Sequence, residues 1–251
     1  MSTITERRAA FRALHQSGCF VLPNPWDGGS AIRLARLGFK AIASTSAGAA
    51  WALGRADGEM TVEEVLNHLR FLVGVTDLPV NADFEAGFAD TPEGVATNVA
   101  RCIETGVAGL SIEDRAGRGL YPIDEAARRV RAAREAIDRS GQDVLLVGRC
   151  EAFWIGQPDL EMTIARLTAY SHAGADCLYA PGMKDLPTIA RLVRALDKPV
   201  NVNLSGTVLS VAELADVGVR RISVGGALAR ATWIAFEGLA ERLWTQGRLP
   251  A

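Results

Sequence analysis

Eight short, mostly apolar segments, each followed by a turn and a stretch with helical spacing, divide the chain into eight similar units. The segments begin at Cys19, Ala41, Pro79, Ala108, Val144, Asp176, Val200 and Arg221. Strands that alternate with helices in this way pair in parallel, because each helix returns the chain to the same end of the sheet. Eight units in 251 residues predict one domain, residues 1–251, folded as a (β/α)8 barrel of the TIM type.

An open, doubly wound sheet is the alternative arrangement of such units. It would be favoured by a G-x-G-x-x-G motif after the first strand, but the chain reads NPWDGGS there. In the second unit a loop of small residues precedes a helix that opens at Thr61, with Glu64 at capping-box spacing. The helix of the third unit has Thr91 as its predicted N-cap and Pro92 in its first position.

The charge of the chain excludes some partners. With 27 Lys and Arg against 29 Asp and Glu, the formal net charge is −2, so nothing draws the protein to nucleic acid or to an anionic membrane. The sequence has no long apolar run and no signal-peptide pattern at its start, which predicts a cytoplasmic protein. Its four cysteines stand singly within apolar segments, as reduced, buried thiols do.

The predicted strand ends carry many acidic side chains. They are Asp57 after the second strand, Asp83 and Glu85 after the third, Glu113 and Asp114 after the fourth, and Glu151 after the fifth. Active sites of TIM barrels lie at these strand ends. Carboxylates that meet there repel one another unless a cation lies among them, and oxygen ligands suit Mg2+ or Mn2+. Asp83 and Glu85 leave the strand on one face and are the best metal candidates, whereas Asp27 and Asp114 are each interpreted as a helix N-cap or as the partner of an arginine.

Other catalytic groups are scarce at the strand ends. The three histidines lie in predicted helical stretches, and no lysine follows a strand closely enough to form a Schiff base. A carbonyl substrate would therefore need activation by a metal ion. Gly225 and Gly226 after the last strand have two interpretations, phosphate binding by backbone amides and a tight turn.

Five motifs resemble, in order, those of the isocitrate lyase/phosphoenolpyruvate mutase superfamily. They are LGRADGEMT at 53–61, ADFEAGFAD at 82–90, SIEDR at 111–115, GRCEAF at 148–153 and NVNLSG at 201–206. The resemblance implies that Asp83 binds Mg2+ directly and that Asp57, Glu85 and Glu113 hold its water ligands.

The same resemblance implies a substrate site beside the metal. The backbone of Thr45, Ser46 and Ala47 would receive a substrate carboxylate, Arg149 would bind the substrate, and Asn203 with Ser205 would contact a further carboxylate. A 2-oxo acid can chelate Mg2+, and breaking its adjacent C–C bond leaves an enolate that the ion and Arg149 would stabilise.

The sequence departs from the family in its proton-transfer groups. Members that cleave isocitrate or methylisocitrate carry a Lys-Arg-Cys-Gly-His loop, but this chain reads RAGRGLYPIDE there, and Ala180-Pro181 stands where the mutase branch tends to have a histidine. The expected catalytic residues are therefore Arg149, Glu113 and Tyr121. Tyr121 has a second interpretation, as a loop tyrosine that only packs.

These observations predict a Mg2+-dependent lyase for a small 2-oxo or 2-hydroxy dicarboxylate, with decarboxylation of oxaloacetate as one possibility. A phosphonomutase or phosphonopyruvate-type enzyme and a non-catalytic 2-oxo-acid-binding barrel are the alternatives.

The predicted terminal helix bears on assembly. Trp233, Phe236 and Leu239 give it an apolar stripe. Larger family members exchange their last helices between subunits, so we expect a homo-oligomer with at most a reduced exchange. The alternative is that the stripe packs on its own barrel.

Overall fold

Short buried strands alternate with longer helices in the computed structural model, which describes residues 2–249. The strands are β1 (Phe20–Leu22), β2 (Ile42–Ala43), β3 (Val80–Asp83), β4 (Gly109–Glu113), β5 (Arg115–Ala116), β6 (Gly119–Leu120), β7 (Leu145–Arg149), β8 (Cys177–Tyr179), β9 (Val200–Asn203) and β10 (Arg221–Ser223). The helices are α1 (Ile4–Leu14), α2 (Gly28–Arg36), α3 (Ser46–Ala52), α4 (Val62–Val75), α5 (Pro92–Glu104), α6 (Ile123–Ser140), α7 (Leu160–His172), α8 (Leu186–Ala195), α9 (Val211–Asp216) and α10 (Ala227–Gln246).

Eight of the strands form one parallel sheet in the order β1-β10-β9-β8-β7-β4-β3-β2. The sheet curls until its first and last strands meet, where the Ala43 amide donates to the Pro23 carbonyl at 3.0 Å. This near-closed barrel confirms the predicted TIM-type fold, and the open-sheet alternative is wrong. A main apolar core lies between the sheet and the outer helices, and a smaller one fills the lower barrel interior around Phe11 of α1.

Local signals place most helix starts where the sequence predicts them. Thr61 and Glu64 form the expected capping box of α4, and Thr91 caps α5 with Pro92 in its first turn. Two short elements were not predicted. The supposed loop of small residues after β2 contains the helix α3, and the loop after β4 folds into the antiparallel β5–β6 hairpin.

The terminal helix α10 leaves the barrel with most of its surface uncovered. Ala229 is its buried residue, while the side chains of Trp233, Phe236 and Trp244 are 36%, 59% and 88% exposed. The expected stripe is present, and the alternative that it packs on its own barrel is not what the structure shows. Within residues 2–249, no helix combines the length and the apolar character that crossing a bilayer requires.

Candidate active site

Two adjoining cavities open at the carboxyl ends of the barrel strands. The wider one, of about 330 Å3, is lined by Glu85, Glu113 and Glu151. The narrower one, of about 90 Å3, runs into the barrel and is lined by predicted substrate-binding residues, which are Thr45, Ser46, Ala47, Asn203 and Ser205. Ser46, Asp57, Arg149 and Trp154 line both cavities. The fold therefore brings the predicted metal and substrate residues to one place.

Arg149 at the end of β7 lies at the centre of the acidic cluster. Its Nη1 lies 3.0 Å from Asp83 Oδ1 and 3.3 Å from Glu113 Oε2, and its Nε donates to Glu151 Oε1 at 2.5 Å. Tyr179 supports the guanidinium from the neighbouring strand, with its ring centre 5.2 Å away. Three carboxylates and one aromatic ring thus fix the direction of this side chain.

The charges of the cluster do not balance. Burial alone would lower the pKa of Arg149, but the charges of Glu151, Glu113 and Asp83 raise it well above its usual value, so the side chain stays cationic. Burial raises the pKa values of Glu113 and Glu151 in spite of Arg149. These acids therefore tend to hold protons in the absence of a further cation, and a bound cation would displace the protons and stabilise the carboxylates.

Asp83 joins the two sides of the site. Its Oδ2 accepts hydrogen bonds from the Ser46 amide at 3.0 Å and the Ser46 hydroxyl at 2.9 Å, and its own amide donates to Ser44 Oγ at 2.8 Å. The Ser46 hydroxyl lies 3.3 Å from Asp57 Oδ1. The Ser46 amide is expected to meet a substrate carboxylate, but in this structure it donates to Asp83.

The metal expectation can be tested on the donors present. Glu85 Oε1 and Glu151 Oε2 are buried oxygens without a hydrogen-bond partner, and the whole donor set consists of carboxylates, as Mg2+ prefers. Within residues 2–249, no three carboxylate, imidazole or thiolate side chains form a ready-made ligand cage. The chemistry of these donors fits a bound divalent cation.

A strained loop carries Glu85 into the wider cavity. Glu85 and Phe88 have φ values of +44° and +53°, in the left-handed region that side chains other than glycine rarely adopt. Arg129 of α6, fully buried, donates to the carbonyls of Ala86, Ala89 and Asp90 at 2.9, 2.5 and 3.1 Å. These hydrogen bonds hold the loop in its strained shape.

Tyr121 lies beside this clamp and does not line either cavity. Its ring lies under the Arg129 guanidinium, 4.3 Å from ring centre to the guanidinium carbon, and it packs at the edge of the apolar core. This position supports the packing interpretation of Tyr121 over the expected role as proton donor, because a proton donor must reach the reacting atoms.

Asp27 and Asp114 have the structural roles that the sequence predicts. Asp27 caps α2. Asp114 accepts from the Glu151 amide at 2.8 Å, the Tyr170 hydroxyl at 2.6 Å and Arg166 at 3.1 Å. Asp114 therefore fixes the backbone that carries Glu151.

The last strand ends in a tight turn that is held by Asn24. The Asn24 side chain accepts from the amides of Val224 and Gly225, both at 2.9 Å, and donates to the Ser44 carbonyl at 2.9 Å. Gly225 has φ +51°, and a Cβ there would lie 3.2 Å from Asn203 Nδ2. The turn interpretation of Gly225 is therefore favoured over phosphate binding, since its amide is already engaged.

Asn203 and Ser205 lie together at the end of β9. Asn203 Oδ1 accepts from the Ser205 amide at 2.9 Å and the Ser205 hydroxyl at 2.6 Å. This leaves the Asn203 amide group as the donor of the pair, as an expected carboxylate contact requires.

Several cavity residues escaped the sequence reasoning. Besides Trp154 and Tyr179, these are polar residues inside strands, namely Asn81, Asn201 and Arg221. The sequence does carry a signal for the two asparagines. β3 (VNAD) and β9 (VNVN) alternate apolar and polar residues, although residues of both kinds are buried. In a barrel, that alternation indicates a polar interior.

The metal-free protein should lose stability as pH rises, in part through Glu85. Burial, and then the charges of Asp83 and Asp57, raise the pKa of Glu85 from 4.5 to about 7. Between these two values the folded state holds a proton that the unfolded state has released, so the free energy of unfolding falls as pH rises. In thermal melts in EDTA, the melting temperature should fall less between pH 5 and pH 8 for Glu85→Gln than for wild type.

Glu93→Gln is the matched control for this experiment, since Glu93 is exposed in the first turn of α5. It should keep the pH dependence of the wild type. Equal pH dependence in Glu85→Gln and wild type would contradict the raised pKa.

Comparison with known proteins agrees with the geometry. Residues 11–244 match the phosphoenolpyruvate phosphomutase family. An oxaloacetate decarboxylase of Chromohalobacter salexigens is 33% identical over 237 residues, which cover 88% of this chain and 79% of that protein.

Two solved structures share the fold over nearly the whole chain. A Burkholderia cenocepacia J2315 protein described as a lyase/mutase is 45% identical, with a TM-score of 0.95 and coverage of 98% of this chain and 91% of that one. An oxaloacetate acetylhydrolase in complex with its product oxalate is 26% identical, with a TM-score of 0.91 and coverage of 100% and 91%.

Proposed function

Because the chain belongs to the phosphoenolpyruvate mutase/isocitrate lyase superfamily, we propose that it is a Mg2+-dependent lyase that breaks a C–C bond of a small 2-oxo or 2-hydroxy dicarboxylate. Oxaloacetate is the first candidate substrate, with decarboxylation as one outcome. The observation that carries the proposal is the position of Arg149, a buried cation held by Asp83, Glu113 and Glu151 at the mouth of the cavity.

Arg149 is the residue proposed to stabilise negative charge as the bond breaks. In oxaloacetate, breaking the C3–C4 bond releases CO2, and the bonding electrons form a C2=C3 double bond with the negative charge on the 2-oxo oxygen, which is the enolate of pyruvate. A guanidinium fixed by three carboxylates needs no reorganisation when that charge develops, and such preorganised donors are strong stabilisers. The Asn203 amide and the Ser46–Ala47 backbone would orient the carboxylates of the substrate.

The metal ion would supply polarisation of the 2-oxo group when bound. Asp83 would hold it directly, and Asp57, Glu85 and Glu113 would hold it through water. Glu113 would also keep the guanidinium of Arg149 directed toward the substrate. With neither a cysteine nor a histidine in the segment 115–125, the proton that quenches the enolate would come from water.

A panel of substrates tests this proposal. Oxaloacetate, 2-methyl-substituted malates, threo-isocitrate and phosphonopyruvate would be incubated with the protein in Mg2+ and in EDTA, with products followed by NMR. We expect the protein to turn over oxaloacetate or a close 2-oxo dicarboxylate in Mg2+ and not in EDTA. We expect little or no turnover of threo-isocitrate. Rapid cleavage of threo-isocitrate would overturn the mechanism, conversion of phosphonopyruvate alone would identify a phosphonate enzyme, and binding without turnover would identify a binding barrel.

We also expect the protein to be a homo-oligomer. The exposed apolar side chains of α10, with Ile234 at 64% and Phe236 at 59%, would be covered by another copy of the chain. Light scattering at micromolar concentration should give a mass above that of a monomer. Ile234→Glu with Phe236→Glu should lower that mass, whereas Glu237→Gln on the same helix should leave it unchanged. A wild-type monomer would refute this expectation.

A further inference from the structure

The narrower cavity continues below the mouth into a polar barrel interior. Its deeper wall is made by side chains of four strands, namely Asn81, Ser111, Asn201, Arg221 and Ser223, each at most 5% exposed. Barrel interiors of this type are usually filled by bulky apolar side chains. Asn81 Nδ2, Ser111 Oγ and Asn201 Nδ2 donate to oxygens of the barrel itself, and the buried atoms of this wall that have no partner are Asn201 Oδ1 and Arg221 Nε.

Arg221 is the only formal charge named in that wall, and its hydrogen bonding is incomplete. Nη1 donates to Asn81 Oδ1 at 3.2 Å, but Nε is buried without a partner. No ion pair joins Arg221 to a carboxylate within the part of the chain that the structure describes. Asp83, whose charge acts on Arg221, is already engaged by Arg149 and Ser46.

The aromatic groups that pack near Arg221 from α1 do not neutralise its charge either. The Phe11 ring centre lies 5.9 Å from the Arg221 guanidinium carbon. His15 behind it is kept neutral, because burial and the charge of Arg221 lower its pKa to about 3. A buried cation without a counter-ion is costly, and a bound anion removes most of that cost.

We propose that the barrel interior binds one small monovalent anionic group, a halide ion or a carboxylate of a bound acid, with Arg221 as its cation. The hydroxyls of Tyr179 and Ser223 border the same space and are hydrogen-bonded to each other, which leaves one hydroxyl proton of the pair for the anion. The narrower cavity, of about 90 Å3, exceeds the roughly 10–15 Å3 that holds one water, so a halide ion or one carboxylate group fits. Gluconate is the bulky reference anion.

The proposal is independent of the lyase activity, because anion binding can be measured without metal or substrate. Thermal melts in sodium bromide would be compared with melts in sodium gluconate at equal ionic strength. We expect a saturable rise in melting temperature with bromide, about 3–6 °C at ten times its Kd, for wild type and for Arg220→Gln. Arg220 is the neighbouring arginine, whose guanidinium bonds the Gly18 carbonyl outside the barrel. Arg221→Gln should lose the rise.

Crystals of the wild type in bromide give a second measurement that does not depend on the folding of a variant. An anomalous peak should lie beside the Arg221 guanidinium. Its absence at saturating bromide, or equal melting responses to bromide and gluconate, would overturn the proposal.

Competition between bromide and oxalate, measured calorimetrically in Mg2+, distinguishes an inorganic anion site from the place of a ligand carboxylate. Bromide that weakens oxalate binding in wild type and not in Arg221→Gln would identify the site as the place of a ligand carboxylate. Bromide that binds at Arg221 without affecting oxalate would identify a separate inorganic anion site.

Discussion

Replacing Arg149 by alanine is expected to lower turnover of the 2-oxo acid by about 100-fold or more, with Mg2+ binding retained. The guanidinium is the cation proposed to stabilise the enolate, so its loss should remove transition-state stabilisation. Arg149 Nη1 lies 3.0 Å from Asp83 Oδ1, so the guanidinium would compete with the metal for this carboxylate. The variant should therefore bind Mg2+ at least as tightly as wild type. Steady-state kinetics and Mg2+ calorimetry measure the two effects separately.

Oxalate gives a readout for Arg149 that needs no turnover. As a planar dianion it resembles the enolate of a 2-oxo acid, and ligands that resemble the transition state reveal lost stabilisation directly. Its Kd in Mg2+ should rise by about the same factor as turnover falls. Arg118→Ala, in the exposed turn between β5 and β6, is the control and should change neither. Normal activity in Arg149→Ala would mean that another group stabilises the enolate.

Asp83→Ala is expected to abolish Mg2+ binding and leave the fold intact. Asp83 is the proposed direct ligand, and its removal also relieves repulsion, since its charge contributes to the raised pKa values of Asp57 and Glu85. Calorimetric titration of Mg2+ in the presence of a 2-oxo acid should show no binding heat. In EDTA, circular dichroism should be unchanged, and the loss of stability between pH 5 and pH 8 should be smaller than in wild type.

Asp90→Ala is the matched control for Asp83→Ala. Asp90 belongs to the same loop, is exposed, and contributes its backbone carbonyl to the Arg129 clamp. This variant should bind Mg2+ like wild type. Unchanged Mg2+ affinity in Asp83→Ala would mean that the acidic cluster has a structural role.

Periodicity was enough to predict the barrel, because each strand and each amphipathic helix carries its own local signal. The helix α3 was missed because Ser46–Ala52 reads SAGAAWA, which has no polar face and resembles a flexible loop. The cap of α3 by Thr45 was the one local sign of it. The β5–β6 hairpin was missed because two residues a side are too few to show alternation.

The motifs predicted which acids meet at the mouth, but not how they are held. Arg129 lies in the Arg-rich helix α6, where the sequence suggests a solvent-facing side chain, and its acceptors are about forty residues earlier in the chain. The same applies to Arg221, whose hydrogen-bond acceptor Asn81 lies 140 residues earlier in the chain. Long-range hydrogen bonds of this kind leave no local pattern, so only the folded structure shows them.

Asn24 lies at the seam where β1 and β2 close the barrel. Its side chain bonds the ends of β2 and β10 at once, across the place where the barrel closes with few backbone hydrogen bonds. Ser44 on one side holds the Asp83 amide, and Gly225 on the other lies against Asn203. Any widening of the seam would therefore move Asp83 and Asn203 together. The two sides of the site are coupled through Asn24.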